Sequence, residues 1–299
     1  MKLTRIGLIG YGEVGRIFGA GLRPQAGVTA VSAWDLQLAQ PASAAGMATR
    51  ARQDGIAPVA GVAELCDAAE LVISAVTASN TLAVAQAAAP HLRPGSVFLD
   101  LNSASPGTKQ QCAALIDGAG AHYVEAGVMT SVPPYGIRVP MLLGGARAAE
   151  LADVLQAWGM DARAVAERVG VASAIKMCRS VMIKGLEALV IESYTTARAY
   201  GVEDHVLPTL AETFPGIDWP QTGAYFYSRV AQHGQRRAEE MREAAQTVRE
   251  AGFEPFMAAA IADKQQWVAD QARDGALTRL GPAVRWQDHA DRLIAARKG

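Results

Sequence analysis

The fold of this chain is decided by the stretch Gly10-Tyr11-Gly12-Glu13-Val14-Gly15. An apolar run at residues 3–9, which predicts a buried strand, comes before it, and a helical pattern reaching about Leu22 follows it. Between a strand and a helix, the first glycine of GxGxxG permits a tight turn, the second admits a pyrophosphate, and the third lets helix and strand pack closely. The stretch therefore predicts a dinucleotide-binding loop that involves all six residues.

A carboxylate stands at the next strand end, where the ribose of such a dinucleotide would bind. Residues 28–34 predict a second strand, and Asp35 follows it, 20 residues after Gly15. A carboxylate at this place accepts hydrogen bonds from the ribose hydroxyls of NAD and repels the 2′-phosphate of NADP. Leu36 comes next, so no adjacent arginine is offered to a 2′-phosphate. The sequence favours NAD over NADP, although an ordinary strand-end aspartate is the alternative.

The rest of the chain divides into an alternating half and a helical half. Strand patterns at residues 71–76, 96–101, 122–126 and 139–143 alternate with helical patterns, which predicts an α/β fold with a doubly wound parallel sheet. After that, helical patterns cover residues 170–201, 223–250 and 255–272. We therefore predict a dinucleotide-binding domain at residues 1–167 and an all-α domain for substrate binding and dimerisation at residues 168–299.

Two further strand ends are predicted to line the cofactor groove, because ligands bind at the carboxyl ends of parallel strands. The first carries Ala75, Val76 and Thr77, and the second carries Asn102 and Ser103. Asn102 and Ser103 are candidates for bonds to the nicotinamide ribose or carboxamide. Turn and helix-cap chemistry is the alternative explanation for both residues.

Composition excludes several other classes of function. The 299 residues carry a formal net charge of -1, without the basic excess that a nucleic-acid or membrane-surface partner would favour. Three scattered cysteines form no CxxC pair, and five histidines show no metal-ligand spacing, so we expect no metal and a reducing cytoplasm. The N-terminal apolar run is too short for a signal-peptide core or a membrane span.

Four segments of the chain resemble the β-hydroxyacid dehydrogenase superfamily, which includes 6-phosphogluconate dehydrogenase and 3-hydroxyisobutyrate dehydrogenase. The segments are residues 10–15, Asp100-Leu-Asn-Ser103, Glu125-Ala-Gly-Val-Met-Thr-Ser131 and Gly170-Val-Ala-Ser-Ala-Ile-Lys176. The resemblance implies a Rossmann domain, an all-helical dimerising domain and a lysine, here Lys176, that assists hydride transfer at a hydroxyl carbon. The second half looks like a less characterised branch with its own C-terminal domain.

The chain departs from that superfamily at positions that concern the substrate. The usual substrate loop, Asp-Ala-Pro-Val-Ser-Gly-Gly, ends here in Met129, Thr130 and Ser131, which become candidate substrate contacts. The asparagine that usually follows the lysine by one helical turn is Ser180, a candidate to orient the substrate hydroxyl. Near the C-terminus the family often has Lys-Asp, whereas the corresponding helix offers His233, Arg236 and Arg237.

Lys176, Ser180 and Lys184 recur every four residues and therefore share one stripe of the long predicted helix. We predict that Lys176 is the general acid and base, and that Lys184 either contacts a substrate anion or is exposed. The Arg236–Arg237 fork suits a carboxylate or phosphate. The alternative for this fork is a solvated face, paired with Glu239, Glu240 and Glu243.

These features favour an NAD-dependent oxidoreductase that acts on the hydroxyl carbon of a small 3-hydroxy acid or related alcohol, with an anionic small molecule as substrate. Imine reduction is a second enzymatic reading, because imine reductases share this architecture. A non-catalytic NAD-binding protein is the third, and the retained Lys176 speaks against it. Apolar residues surround much of the helix predicted at 170–201, and together with the resemblance they predict a homodimer.

Overall fold

The computed structural model describes residues 1–277 and 284–296. Its first part contains one sheet, and the strands of this sheet are β1 (Arg5–Ile9), β2 (Ala30–Trp34), β3 (Ala57–Pro58), β4 (Leu71–Ser74), β5 (Val97–Asp100), β6 (His122–Val128), β7 (Met141–Gly144) and β8 (Ala162–Ala166). They lie side by side in the order β3-β2-β1-β4-β5-β6-β7-β8. The helices between them are α1 (Glu13–Leu22), α2 (Ala44–Gln53), α3 (Val62–Ala68), α4 (Thr81–Ala88), α5 (Pro106–Gly118) and α6 (Ala148–Ala157).

Strands β1 to β6 form the doubly wound core that the alternating sequence pattern predicts. Every neighbouring pair among them is parallel, and the chain order reverses direction across the sheet at β1. The carboxyl ends of these strands therefore meet at one edge, with the switch point between β1 and β4. The α/β prediction is confirmed for this half of the chain.

Strand β7 differs from the predicted arrangement of parallel strands. It runs antiparallel to β6, with Glu125 opposite Gly144 and Val128 opposite Met141. The prediction was wrong here because the connection from β6 to β7 contains only the short 3-10 turn Gly136–Arg138 and no crossover helix. Helix α6 then carries the chain to β8, which pairs in parallel with β7.

Apolar side chains cover both faces of the sheet. Strand β4 shows this most clearly, because Leu71 and Ile73 belong to the cluster on one face and Val72 to the cluster on the other. All three side chains are fully buried. A strand without a solvated face is what a parallel sheet between two helical layers requires, and it explains the near-continuous apolar run in the sequence.

A second compact unit begins at Cys178, within α7 (Val171–Tyr200). Its other helices are α8 (Glu203–Thr213), α9 (Trp219–Glu250), α10 (Phe256–Arg273) and α11 (Trp286–Ala296). The prediction of an all-α second half is confirmed, although α8 and α11 were missed. The predicted functional division between residues 167 and 168 stays a prediction. Among the described helices, none combines the length and hydropathy that crossing a bilayer needs.

A buried histidine lies in the core of this second unit. His289 on α11 is 4% exposed, and its ring stacks on that of Tyr227 at a centroid distance of 5.6 Å. Burial lowers the pKa of His289, and the neighbouring Asp288 counters this only in part. Its Nδ1 atom is buried without a hydrogen-bond partner in the described ranges. The packing of α11 therefore favours the neutral imidazole.

This burial predicts an acid-sensitive second unit. Because the folded-state pKa of His289 lies below the unfolded value of about 6.5, the unfolded chain binds the proton more readily. The stability from this group is thus present above about pH 6.5 and is lost as the pH falls through the folded-state pKa. We expect His289→Phe to reduce the fall in Tm between pH 7.5 and 5.5, measured by circular dichroism.

The matched control is His205→Gln, which changes an exposed histidine of α8. It should keep the pH dependence of the unmodified protein. An unchanged pH dependence in His289→Phe would show that the stacked imidazole does not control acid stability.

Candidate active site

The loop between β1 and α1 has the tight geometry that its glycines predict. Gly10 has a φ of 92°, and a Cβ at this position would lie 2.4 Å from the Ala75 carbonyl oxygen. A Cβ at Gly15 would lie 2.0 Å from the Gly10 carbonyl oxygen. A Cβ at Gly12, in contrast, would meet no atom within 4 Å. Gly10 and Gly15 are required by the packing of the loop itself, whereas Gly12 leaves space for a ligand.

The N-terminus of α1 fits the pyrophosphate of a dinucleotide. Gly12 is the N-cap residue and provides no side-chain hydrogen bond to the first turn. Glu13 is exposed in that turn, and Val14 packs partly against the core. Backbone N–H groups of a first helical turn have no partner within the helix, and the helix dipole favours an anion beside them.

Asp35 is fixed in the position that the sequence predicts for ribose recognition. Its Oδ2 accepts a hydrogen bond from the Tyr11 backbone N–H at 2.8 Å, and its Oδ1 accepts one from the Gln37 N–H at 2.9 Å. Each carboxylate oxygen has a further lone pair for a ribose hydroxyl. A hydrogen bond therefore joins the glycine loop directly to Asp35, the residue predicted to bind the ribose.

The buried side chain of Tyr11 anchors the glycine loop to the protein core. It is fully buried, and its hydroxyl donates to Asp54 Oδ2 at 2.9 Å. The Arg16 guanidinium holds the same carboxylate at 2.9 Å. Burial, reinforced by the Asp54 carboxylate, raises the pKa of Tyr11 well above its usual value. The side chain is thus committed to Asp54, and a direct contact of Tyr11 with a cofactor stays a prediction.

The ends of β4 and β5 are joined by the side chain of Asn102. Its Oδ1 accepts from the Val76 backbone N–H at 2.7 Å, and its Nδ2 donates to Ser74 Oγ at 2.9 Å. Asn102 is buried, Ala75 and Val76 are partly buried, and Thr77 is exposed. Asn102 therefore holds two strand ends in register, and its bond to a cofactor stays a prediction.

A buried charge network, which the sequence analysis missed, fixes the turn after β5. Asp100 Oδ1 lies 2.9 Å from Lys109 Nζ and accepts from the Asn102 N–H at 2.8 Å. Asp100 Oδ2 accepts from the Tyr123 hydroxyl at 2.6 Å. Burial, together with Asp100, raises the pKa of Tyr123 well above its usual value. Lys109 lies on the buried face of α5 with Cys112, Ala113 and Ile116. A charged residue on a buried helical face was the sequence feature that could have indicated this network.

The side chain of Lys176 contacts Ser103, which lies next to Asn102 in this turn. Its Nζ donates to Ser103 Oγ at 2.5 Å, so the second and fourth segments of the resemblance meet at this pair. Gly127 on β6 allows the approach of α7, because a Cβ there would lie 2.8 Å from the Ala172 carbonyl oxygen and 3.5 Å from Lys176 Cβ. The sheet edge and the first turns of α7 thus position the amine together.

The Glu125 side chain caps the N-terminus of α7, the helix that carries Lys176. Its Oε1 accepts from the N–H groups of Gly170 and Ala172 at 2.7 and 3.0 Å, and its Oε2 accepts from Ser173 N–H at 3.3 Å. The carboxylate is fully buried. It satisfies donors that have no partner within the helix, and its charge suits the positive end of the dipole.

The predicted substrate loop leaves β6 at the same edge. The Met129 N–H donates to the Pro140 carbonyl oxygen at 2.9 Å, which closes the base of the loop. Thr130 is exposed, while Met129 and Ser131 are partly buried. Further along, the loop packs on α1, where a Cβ at Gly21 would lie 2.4 Å from Ile137 Cγ2.

In the second unit, two of the predicted residues lie together. Lys184 Nζ donates to Ser180 Oγ at 3.3 Å and forms an ion pair with Glu240 Oε2 at 2.9 Å. Lys184 is buried, so the alternative of an exposed lysine is excluded. Arg236 approaches Glu240 at 3.8 Å with 47% of its side chain exposed, and His233 is partly buried.

Arg237 has a different partner from those considered in the sequence analysis. It is buried on α9 and binds the Glu187 carboxylate of α7 through two guanidinium nitrogens, with Nε at 3.0 Å. Gln265 of α10 also donates to Glu187, at 3.3 Å. The adjacent arginines therefore do not form one fork: Arg237 faces the helical core and Arg236 faces solvent. In the described ranges no cluster of histidine, cysteine and acidic residues could hold a metal ion.

Comparison with known proteins agrees with this geometry. Residues 5–169 match the family described as the NAD binding domain of 6-phosphogluconate dehydrogenase. The chain belongs to that family. It therefore binds a nicotinamide cofactor, and its structural neighbours are 3-hydroxyacid dehydrogenase-like proteins. Residues 197–268 match a domain of unknown function, DUF1932, which agrees with the expected separate branch of the C-terminal half.

Two solved structures are similar to most or nearly all of the chain. A conserved hypothetical protein from Sinorhizobium meliloti 1021 is 39% identical, with 99% of this chain and 97% of that chain covered and a TM-score of 0.79. Conserved protein MTH1747, of unknown function and structurally similar to 3-hydroxyacid dehydrogenases, is 30% identical, with 90% and 99% covered and a TM-score of 0.68.

More distant structures share the fold alone. The 3-hydroxyisobutyrate dehydrogenase of Mycobacterium tuberculosis is 18% identical, with 97% and 99% covered and a TM-score of 0.72. The imine reductase of Aspergillus terreus is 19% identical, with 92% and 95% covered and a TM-score of 0.56. Proteins with this fold thus include both enzyme classes that the sequence analysis considered, hydroxyacid dehydrogenases and imine reductases.

The Glu125 cap predicts a measurable contribution to the stability of the first unit. Glu125→Gln replaces one acceptor oxygen by a donor that faces the N–H groups of α7. We expect a loss of about 1–3 kcal/mol in the free energy of unfolding, since buried donors lose their acceptor. Urea titration should measure the loss, and amide hydrogen exchange at Ala172 and Ser173 should accelerate.

Glu150→Gln is the control, because Glu150 is an exposed residue paired with Arg147 one turn away. Its effect should stay within about 0.5 kcal/mol. Equal effects of the two substitutions would contradict the capping role.

Proposed function

We propose that this protein is an NAD-dependent oxidoreductase that transfers a hydride between nicotinamide and the hydroxyl carbon of a small 3-hydroxy acid or related alcohol. The observation that carries this proposal is the 2.5 Å contact of Lys176 Nζ with Ser103, just beyond the carboxyl end of β5. Ligands of doubly wound sheets bind at that end of the strands. The glycine loop, Asp35 and the strand end at Ala75 would hold the cofactor.

Lys176 is proposed as the general acid and base. Bound NAD supplies the hydride acceptor in the oxidation direction. As the amine, Lys176 removes the proton of the substrate hydroxyl, and as the ammonium it returns this proton when a carbonyl is reduced. Its positive charge also stabilises an oxygen that becomes negative during the reaction.

Substrate recognition is proposed for the residues that the sequence analysis singled out. Ser180 would orient the substrate hydroxyl, and Met129, Thr130 and Ser131 would contact the rest of the molecule. Lys184, His233 and Arg236 remain candidates for the substrate anion. Lys184 already shares its charge with Glu240, and Arg237 shares its own with Glu187. We therefore assign the carboxylate contact to the exposed guanidinium of Arg236 and not to Arg237.

A panel of hydroxy acids, their keto counterparts and cyclic imines, followed by NADH absorbance, tests the proposed reaction. Turnover of hydroxy or keto acids supports it. Turnover of imines alone would make the protein an imine reductase, and NADH binding without any turnover would make it a non-catalytic binder. The panel thus separates the three functions that the sequence leaves open.

We also propose that the protein is a homodimer and that it is located in the cytoplasm. In the second unit, α7 exposes Met182, Ile183 and Leu189, of which Met182 is 73% exposed. These side chains support the predicted homodimer, because burying them against a second copy removes apolar surface from water. The free thiols of Cys66, Cys112 and Cys178 support a reducing, cytoplasmic location.

Removal of the amine should stop the reaction without preventing cofactor binding. We expect Lys176→Ala to lower kcat by about 100-fold or more, the contribution of a positioned general acid or base. The Kd for NADH, measured by fluorescence, should stay within about twofold, because no step of cofactor binding is assigned to Lys176.

The control is Lys264→Ala, which removes a lysine of α10 that pairs with Glu192 at 3.1 Å. This variant should keep normal turnover. Near-normal turnover of Lys176→Ala on a true substrate would assign the proton to another residue.

Cofactor choice should depend on the charge of Asp35. A carboxylate held by Tyr11 and Gln37 N–H groups repels a dianionic 2′-phosphate and accepts from ribose hydroxyls. We expect the unmodified protein to use NAD better than NADP. Asp35→Ala should lower the ratio of kcat/KM for NAD to that for NADP about tenfold, which corresponds to about 1.4 kcal/mol.

Asp35→Asn keeps an acceptor oxygen but removes the charge, and it should shift the ratio in the same direction. Asp67→Ala, an exposed aspartate on α3, is the control and should leave the ratio unchanged. Equal use of NAD and NADP by the unmodified protein would contradict the assignment.

A further inference from the structure

The Ser103 hydroxyl has one strong hydrogen bond and an uncommitted proton. Its Oγ accepts from Lys176 Nζ at 2.5 Å, and a lysine ammonium has only donors. Within residues 1–277 and 284–296, the Ser103 hydroxyl makes no other hydrogen bond. A hydroxyl that accepts from an ammonium can pass its own proton to a third group.

The backbone that carries Ser103 is held more firmly than a surface turn would be. The preceding residue, Asn102, bonds to Ser74 and Val76, and its N–H donates to Asp100. Asp100 is itself held by Lys109, which is 1% exposed. Ser103 is partly exposed at the end of this buried network. Precise placement of a small hydroxyl is what proton transfer requires, since transfer needs hydrogen-bond distance on both sides.

We propose that Ser103 is a catalytic residue that relays the proton between the substrate oxygen and Lys176. This inference rests on the proposed oxidoreductase function and assigns to Ser103 a role other than the cofactor contact expected from the sequence. The substrate oxygen then bonds to Ser103 Oγ, and Lys176 acts on it through one intervening hydroxyl.

The step balances in both directions. In oxidation, the substrate O–H bond breaks and its proton binds Ser103 Oγ, while the Ser103 proton moves to the neutral amine of Lys176. The C–H bond breaks at the same carbon, and its electron pair leaves as hydride to NAD. The products are a carbonyl, NADH and the ammonium of Lys176, which releases its proton to solvent. Reduction reverses each transfer.

Ser103→Ala removes the relay and leaves Lys176 in place. We expect single-turnover hydride transfer, followed by NADH absorbance, to slow about 100-fold at saturating cofactor and substrate. Ser103→Thr keeps a hydroxyl and should recover most of this loss. The Kd for NADH should be unchanged in both variants.

A proton inventory separates a relay from a structural effect. Single-turnover rates in mixtures of H₂O and D₂O should fall along a curve in the unmodified protein, because two protons move in one step. Substrate that carries deuterium on the carbon that donates the hydride should react more slowly, and this will show that the measured rate is that of hydride transfer. In Ser103→Ala the residual dependence should become linear.

Ser96→Ala provides a matched control at the other end of β5. Ser96 is buried and donates to the Arg93 carbonyl oxygen at 2.7 Å, so its loss tests stability without touching the site. This variant should keep the normal rate and a curved inventory.

Three results would overturn the relay while the proposed function stands. They are a near-normal rate in Ser103→Ala, a linear inventory in the unmodified protein, and a raised Kd for NADH with an unchanged rate at saturation. Absence of turnover in the unmodified protein with every hydroxy acid, keto acid and imine, despite NADH binding, would instead refute the proposed function and the relay with it.

Discussion

The ion pair between Asp100 and Lys109 is the interaction on which the arrangement of the site depends. Both side chains are 1% exposed, so each charge would be very costly without the other. The pair is complete only when β5, α5 and β6 are in place, because Asp100 also binds the Tyr123 hydroxyl. The turn that bears Asn102 and Ser103 is therefore rigid as a consequence of folding, and needs no ligand to order it.

Other parts of the site are built in the same way, since each polar group proposed to bind a ligand is held by a second polar group. Asp35 is held by the backbone N–H of Tyr11, and Tyr11 is held by Asp54. Lys176 lies on a helix whose N-terminus rests on the buried carboxylate of Glu125. Preorganisation of this kind lowers the cost of arranging groups when the ligand binds.

The sequence was sufficient for the fold and the cofactor loop, and insufficient for the supporting groups. The glycine pattern, Asp35 and the apolar run of β4 each report on local geometry, and local geometry is what spacing encodes. The antiparallel β7 was missed because strand direction depends on the connection and not on the strand. The pairing of Lys109 with Asp100 and of Arg237 with Glu187 joins separate elements, so no periodicity predicts it. A charge on a buried helical stripe indicates only that some partner exists.

The antiparallel return of β7 has a consequence for how this scaffold can change over evolution. Because β6 and β7 pair directly and Met129 closes on Pro140, the loop between them has both ends fixed to the sheet. Its length and sequence can vary without altering the register of any strand, since surface loops tolerate insertion better than the elements they connect. The loop starts at the edge where β6 ends, beside the strand ends that are proposed to line the cofactor groove. With the proposed substrate contacts on this loop, we expect relatives to differ in substrate through this one segment while the sheet that carries the glycine loop stays the same.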